Sequence, residues 1–139
     1  MLQVKDIMTE DVFTLQVDET LAVVRTLMKT KHIRHVPIVD QTNKFVGLLT
    51  HRDLLAQTIS MIADIDEKEQ EDLDQNIYLV NVMKTDVVSA DPEMDLRTAI
   101  AILLDHKYGC LPVVKDGKLV GIVTEADFLR LTQSMLEPL

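Results

Sequence analysis

Apolar residues in this chain fall into two spacings, and the alternation between them predicts the elements. Leu21, Val24, Leu27 and Met28 recur at helical spacing, as do Leu96, Ala99, Ile100 and Leu103, which predicts helices over residues 20–31 and 95–107. Asp18 or Thr20 and Asp91 or Asp95 are suitable caps for their N-termini. Residues 36–39 and 45–49 are continuous apolar runs that predict buried strands, joined by the turn-forming Asp40-Gln41-Thr42-Asn43. Residues 111–114 and 119–123 repeat that pattern across Asp116-Gly117, a hairpin signal. Shorter β-prone runs at 12–15 and 87–90 precede the two helices. A last helix opens near His51 or Glu125 and carries Leu54, Leu55 and Ile59, or Phe128, Leu129 and Met135.

The order strand, helix, strand, strand, helix therefore occurs twice, and the residues themselves repeat. Ile7-Met8 answers Val82-Met83, Asp11-Val12 answers Asp86-Val87, and Leu21 answers Leu96. Val36-Pro37-Ile38-Val39 answers Leu111-Pro112-Val113-Val114 in the same register. After deletion of one turn residue, Gly47-Leu48-Leu49-Thr50-His51-Arg52-Asp53 aligns with Gly121-Ile122-Val123-Thr124-Glu125-Ala126-Asp127. Two copies are too few for a solenoid, so a closed pair related by a pseudo-twofold axis is expected. The boundaries read as repeat one at 1–60, an acidic, partly helical linker at 61–78, and repeat two at 79–139. The linker sequence Asp64-Ile65-Asp66-Glu67-Lys68-Glu69-Gln70-Glu71-Asp72-Leu73-Asp74-Gln75 reads as a solvated segment. It lacks the spaced acidic-plus-glycine pattern of a calcium loop.

Composition narrows the classes. A chain of 139 residues, 47% hydrophobic, can bury a core as one compact module. Its formal charge of −9 disfavours binding to nucleic acid, whose affinity comes from Lys and Arg neutralising phosphates. The single cysteine, Cys110, excludes an internal disulfide and fits a reducing compartment. No basic, then apolar, leader opens the sequence, and no apolar run approaches the ~20 residues of a membrane span. A cytoplasmic protein without membrane insertion is expected.

The chemistry concentrates in Gly-φ-φ-Thr-x-x-Asp, where φ is apolar, which sits in both copies where a strand passes into a helix. Thr50 and Asp53, or Thr124 and Asp127, share the first helical turn. A carboxylate there can accept hydrogen bonds from two neighbouring hydroxyls, as on a ribose. The same residues are also a helix-capping pattern, and the motif alone leaves cap and ligand site equally open. Gly47 and Gly121 would let backbone approach closely.

The duplicated φ-Pro-φ-φ strand followed by Gly-φ-φ-Thr-x-x-Asp resembles the CBS domain, named for cystathionine β-synthase. The resemblance includes Asp6-Ile7-Met8, echoed as Asn81-Val82-Met83, and covers all but the linker and the extreme C-terminus. It implies an α/β fold of the α+β type, two β-α-β-β-α repeats packed as one disc-like module with two clefts, often a homodimer. It further implies a regulatory ligand such as AMP, ADP, ATP or another adenosyl compound, with no cofactor required. Carried over, one cleft would use Thr124 and Asp127 for ribose, faced by Thr14, Arg34, His35, Val36 and Pro37. The other would use Thr50, His51, Arg52 and Asp53, faced by Ser89, Gly109, Cys110, Leu111 and Pro112. Arg34-His35 suits a phosphate, whereas Gly109-Cys110 carries no charge. His51 and Arg52 could partly compensate there. The Asp127 cleft is therefore expected to prefer a charged nucleotide, and the Asp53 cleft to bind more weakly, to bind a less charged adenosyl ligand, or to stay empty.

The remaining candidates have plainer readings. His32 and His35 lack a third metal ligand. Cys110 reads as a small buried residue. Arg25 and Arg97 read as exposed helix residues, and the methionines as packing. The helix over 128–136 has more apolar surface than a short tail needs, which points to a partner or a second subunit. No nucleophile is paired with an oriented base and no GxxxxGK[ST] loop is present, so an enzyme is not expected. A sensor controlling a partner protein leads. A ligand-independent dimerisation or docking module, or the regulatory fragment of a larger enzyme or transporter, is the alternative.

Overall fold

A computed structural model describes residues 1–59 and 66–137. Apart from the strand expected at 87–90, the predicted elements form in the predicted order: β1 (Leu15–Gln16), α1 (Leu21–Lys31), β2 (His35–Val39), β3 (Phe45–Thr50), α2 (His51–Ile59), α3 (Glu67–Asp74), α4 (Leu96–Asp105), β4 (Cys110–Lys115), β5 (Lys118–Thr124) and α5 (Glu125–Leu136). The described residues gather into two compact units that exchange their leading segments. One contains residues 13–87, the other residues 1–12 with 88–139. The first segment of each sequence repeat thus packs in the unit built around the other repeat's hairpin.

In the unit of residues 13–87, β1 runs parallel to β2 and β2 antiparallel to β3. Leu21, Val24 and Met28 of α1 meet Val36, Ile38, Leu49, Leu54 and Leu79 in one buried cluster. This is the stripe that the helical spacing of α1 anticipated, closed over strands that are apolar on both faces. The β2–β3 turn is built by Asp40, whose carboxylate accepts from the Thr42 hydroxyl and the Thr42 and Lys44 amides. Those bonds, the hydroxyl first, hold the Asp40 carboxyl below its ordinary pKa. The linker residues Asp64 and Ile65 lie outside the described residues. The linker beyond them is helical from Glu67, with Asp66 capping the Glu69 amide.

Contrary to the expectation of a merely exposed Arg25, its Nε donates to the buried Asp74 at 2.6 Å and Nη2 donates to the other carboxylate oxygen at 3.3 Å. Gln70 donates to the same carboxylate at 2.8 Å. A mostly solvated linker helix is thereby fastened to α1 through one buried carboxylate. Periodicity carries no information about such a pair, because its partners are far apart in sequence.

In the unit of residues 1–12 and 88–139, β4 and β5 form an antiparallel hairpin through Asp116 (φ 52) and Gly117 (φ 80). Positive φ at both central positions gives the strands their native twist, as the dipeptide predicted. Val4, Ala90, Leu96, Ala99, Leu111, Val113 and Val123 form its core. The β-prone run at 87–90 contributes only a bridge, Ala90 to Val113, because the Ala90 amide and carbonyl alone join the hairpin edge, at Pro112 and Val114.

Gly47 and Gly121 have the same cause in both units. The leading segments bond to β3 and β5 beside them, Lys84 with Leu48 and Thr9 with Ile122. A Cβ on Gly47 would lie 3.0 Å from the Lys84 carbonyl oxygen, and one on Gly121 2.9 Å from that of Thr9. The close approach that the glycines permit is to the chain's own backbone.

Candidate ligand-binding site

Each unit presents a carboxylate where its last strand passes into a helix. At the β3–α2 junction, Asp53 Oδ2 accepts from the Thr50 amide and the Thr50 hydroxyl, both at 2.9 Å. The Asp53 amide donates back to Thr50 Oγ1 at 3.3 Å. Asp53 Oδ1 points away from this cap and meets Lys84 Nζ at 2.8 Å. Asp53 keeps 14% of its side chain exposed, and Lys84 40%. The Lys84 backbone is pinned by reciprocal 2.8 Å bonds with Leu48.

The β5–α5 junction repeats this with different partners. Asp127 Oδ2 accepts from the Thr124 amide at 2.8 Å and, more weakly, from its hydroxyl at 3.4 Å. Asp127 Oδ1 accepts from Arg130 Nη2 at 2.7 Å and from Thr9 Oγ1 at 3.4 Å. Asp127 is only 5% exposed, while Arg130 is 66% exposed. In both junctions one oxygen completes a capping box and the other is neutralised by a cation. Thr9 and Lys84 occupy matching positions after Ile7-Met8 and Val82-Met83, whereas Arg130 has Ala56 as its match.

The other expected site residues distribute between the units. Thr50, His51, Arg52 and Asp53 share the β3–α2 junction, and Arg34 and His35 lie in the same unit beside it. The Arg34 carbonyl accepts from the His51 amide at 2.8 Å, and His35 pairs with Thr50 across the sheet. Arg34 is exposed, His35 and Thr14 are half-buried, and Val36 and Pro37 are buried. In the other unit, the Gly109 carbonyl accepts from the Glu125 amide at 3.2 Å, and Cys110 pairs with Thr124. There Ser89 is exposed, while Cys110, Leu111 and Pro112 are buried, which leaves their backbone rather than their side chains for contact. Burial pushes the Cys110 thiol up to about 12, so it stays neutral and unreactive. Thr124 and Asp127 belong to this unit, and Thr14, Arg34 and His35 to the other.

Sequence reading missed Lys84, Thr9 and Arg130. The Asp127-x-x-Arg130 spacing was a signal for the last, since residues three apart on a helix are neighbours. The mismatch of Thr9 with Lys84 in the self-comparison was a signal for the first two.

The comparisons agree with this architecture. The family model for the CBS domain matches residues 4–59 and 79–134. YhcV, a CBS domain-containing protein of Bacillus subtilis, is 33% identical over 91% of this chain and 83% of its own length. MJ1225 of Methanocaldococcus jannaschii is 31% identical over 94% of this chain, which spans only 43% of that protein. Among solved structures, AcuB of Vibrio cholerae, assigned provisionally to acetoin utilization, superposes with a TM-score of 0.85 at 39% identity, covering 99% of this chain and 96% of that one. Two more distant neighbours share the fold. CBSX2 in complex with AMP has a TM-score of 0.81 at 23% identity, over 97% of this chain and 98% of its own. The CBS domain pair of MJ0100 in complex with 5′-methylthioadenosine and S-adenosyl-L-methionine has a TM-score of 0.79 at 24% identity, with the same coverage.

Proposed function

Since the chain belongs to the CBS domain family, we propose that it is a regulatory module that binds an adenine nucleotide or a related adenosyl ligand and controls a partner protein. The observation that carries this reading is the repeated carboxylate. In both units an Asp is fixed on the first helical turn by its cap, with its second oxygen turned to a more exposed cation. A carboxylate so held is already oriented, so a ribose diol meets an acceptor that loses little freedom on binding. The family resemblance implies Arg34, through its positive charge, and His35, through its ring nitrogens, as phosphate partners of a ligand on Asp127. AMP on CBSX2, and the two adenosyl ligands on the MJ0100 pair, support this ligand class. Catalysis is not part of the proposal. A second copy of the chain is the expected partner of α5, whose Leu129, Met135 and Leu136 are exposed.

A second reading has its own observation. Both carboxylates are already paired and capped, which is all that a purely structural role needs, and a docking module without ligand would keep them so. Calorimetric titration separates the two. AMP, ADP, ATP, S-adenosylmethionine and GTP are titrated into the wild type and into the Asp53→Ala, Asp127→Ala double variant. Adenosine-selective heats that disappear in the folded double variant are expected. Equal binding by the two proteins sinks the site, and no binding by the wild type favours the docking module.

A further inference from the structure

Resting on that reading, we propose that Lys84 sets the ligand class of the Asp53 half, selecting adenosyl ligands that carry a negative charge close to the ribose. Asp53 Oδ2 is filled by the two Thr50 donors, so a ribose must bond to Oδ1, where Lys84 already sits at 2.8 Å. One hydroxyl fits beside the ammonium on that oxygen, whereas the second hydroxyl of a vicinal diol displaces it. An uncharged ligand then costs the protein a charge-assisted hydrogen bond and returns nothing to Lys84. A ligand with a 5′-phosphate gives the released ammonium a new partner, and the pinned Lys84 backbone keeps that ammonium within reach.

The Asp127 half is built differently. Thr9 stands at the matching position, and the cation there, Arg130, comes from the same helix as the carboxylate it holds. The two halves therefore differ in their cation rather than in their acid. Lys84 brings the Asp53 half the positive charge that the residues expected to face it, Gly109 and Cys110, do not carry. That revises the sequence-based expectation of a less charged ligand in that half.

The test uses the full chain with Asp127→Ala, which isolates the Asp53 half, and compares Lys84 with Lys84→Thr and Lys84→Met. AMP and 5′-methylthioadenosine are titrated into each by calorimetry, and the readout is the ratio of their affinities. A general loss of folded protein lowers both affinities and leaves the ratio alone. The ratio is expected to fall about tenfold in both Lys84 variants, the size of one lost charge-assisted bond. An unchanged ratio overturns the proposal, as does an Asp127→Ala protein that binds neither ligand while the wild type binds. A wild type that binds no adenosyl ligand overturns the functional reading itself and this inference with it.

Discussion

At the scale of single residues, the chain spends its polar groups on holding a few side chains in fixed states. Cys110 is the plainest case, because its thiol is shut in the core and pushed from an ordinary 9.0 to about 12 by desolvation. The native thiol therefore keeps its proton where the unfolded one has lost it. This contribution to stability is whole below pH 9 and is lost as pH rises toward 12. Between those values, urea denaturation of the wild type is expected to lose roughly 1.4 kcal/mol per pH unit more than Cys110→Ala does. Parallel slopes would mean that the thiol titrates normally in the native state. The two aspartates are a subtler case. Their identity and spacing were readable, but whether each carboxylate is free was not. Lys84 reaches Asp53 from a segment far along the chain, and only the folded chain brings them together.

At the scale of elements, local pattern was a sound guide wherever an element's stability is itself local. The stripe of α1, the Asp116-Gly117 hairpin and the cap at Asp95, which accepts from the Arg97 amide, all form where the spacing put them, whereas in α4 Ile102 packs on the core and Ile100, expected there, is exposed. The leading strands did not follow their propensity in full, since a run with one neighbour gains few ladder bonds. The linker was readable as acidic and helical but not as docked, because the Arg25–Asp74 pair is a tertiary contact. Removing one side of that pair should show how much the docking matters. Arg25→Ala leaves the buried Asp74 charge short of its main partner, and a loss of about 3 kcal/mol in urea denaturation is expected. Replacing both, Arg25→Met with Asp74→Leu, should come within about 1 kcal/mol of the wild type, since the charge is then removed rather than stranded. A double variant as unstable as the single one would contradict this account.

At the scale of the whole molecule, a ligand that binds only the native state adds stability by mass action. The expectation is about 2.7 kcal/mol for a ligand at 100 times its dissociation constant. For a chain of 139 residues that is a rise of several degrees in the melting midpoint, measured by thermal shift with AMP against GTP. A flat midpoint at saturating AMP would leave the module without this stabilising route. The net charge of −9 would give a small anionic ligand no long-range attraction, so local cations such as Arg34, Lys84 and Arg130 would have to provide it.

The sequence by itself determined the duplication, the fold class, the element order apart from the strand expected at 87–90, and the two junction aspartates. Each of these follows from short-range periodicity, or from a motif whose members lie within a few residues of one another. Tertiary structure alone decided the exchange of leading segments between units, the reason Gly47 and Gly121 must be glycine, and the docking of the linker on α1. It also decided which cation guards each carboxylate. These depend on residues distant in sequence meeting within hydrogen-bond range, and a linear pattern does not encode that distance.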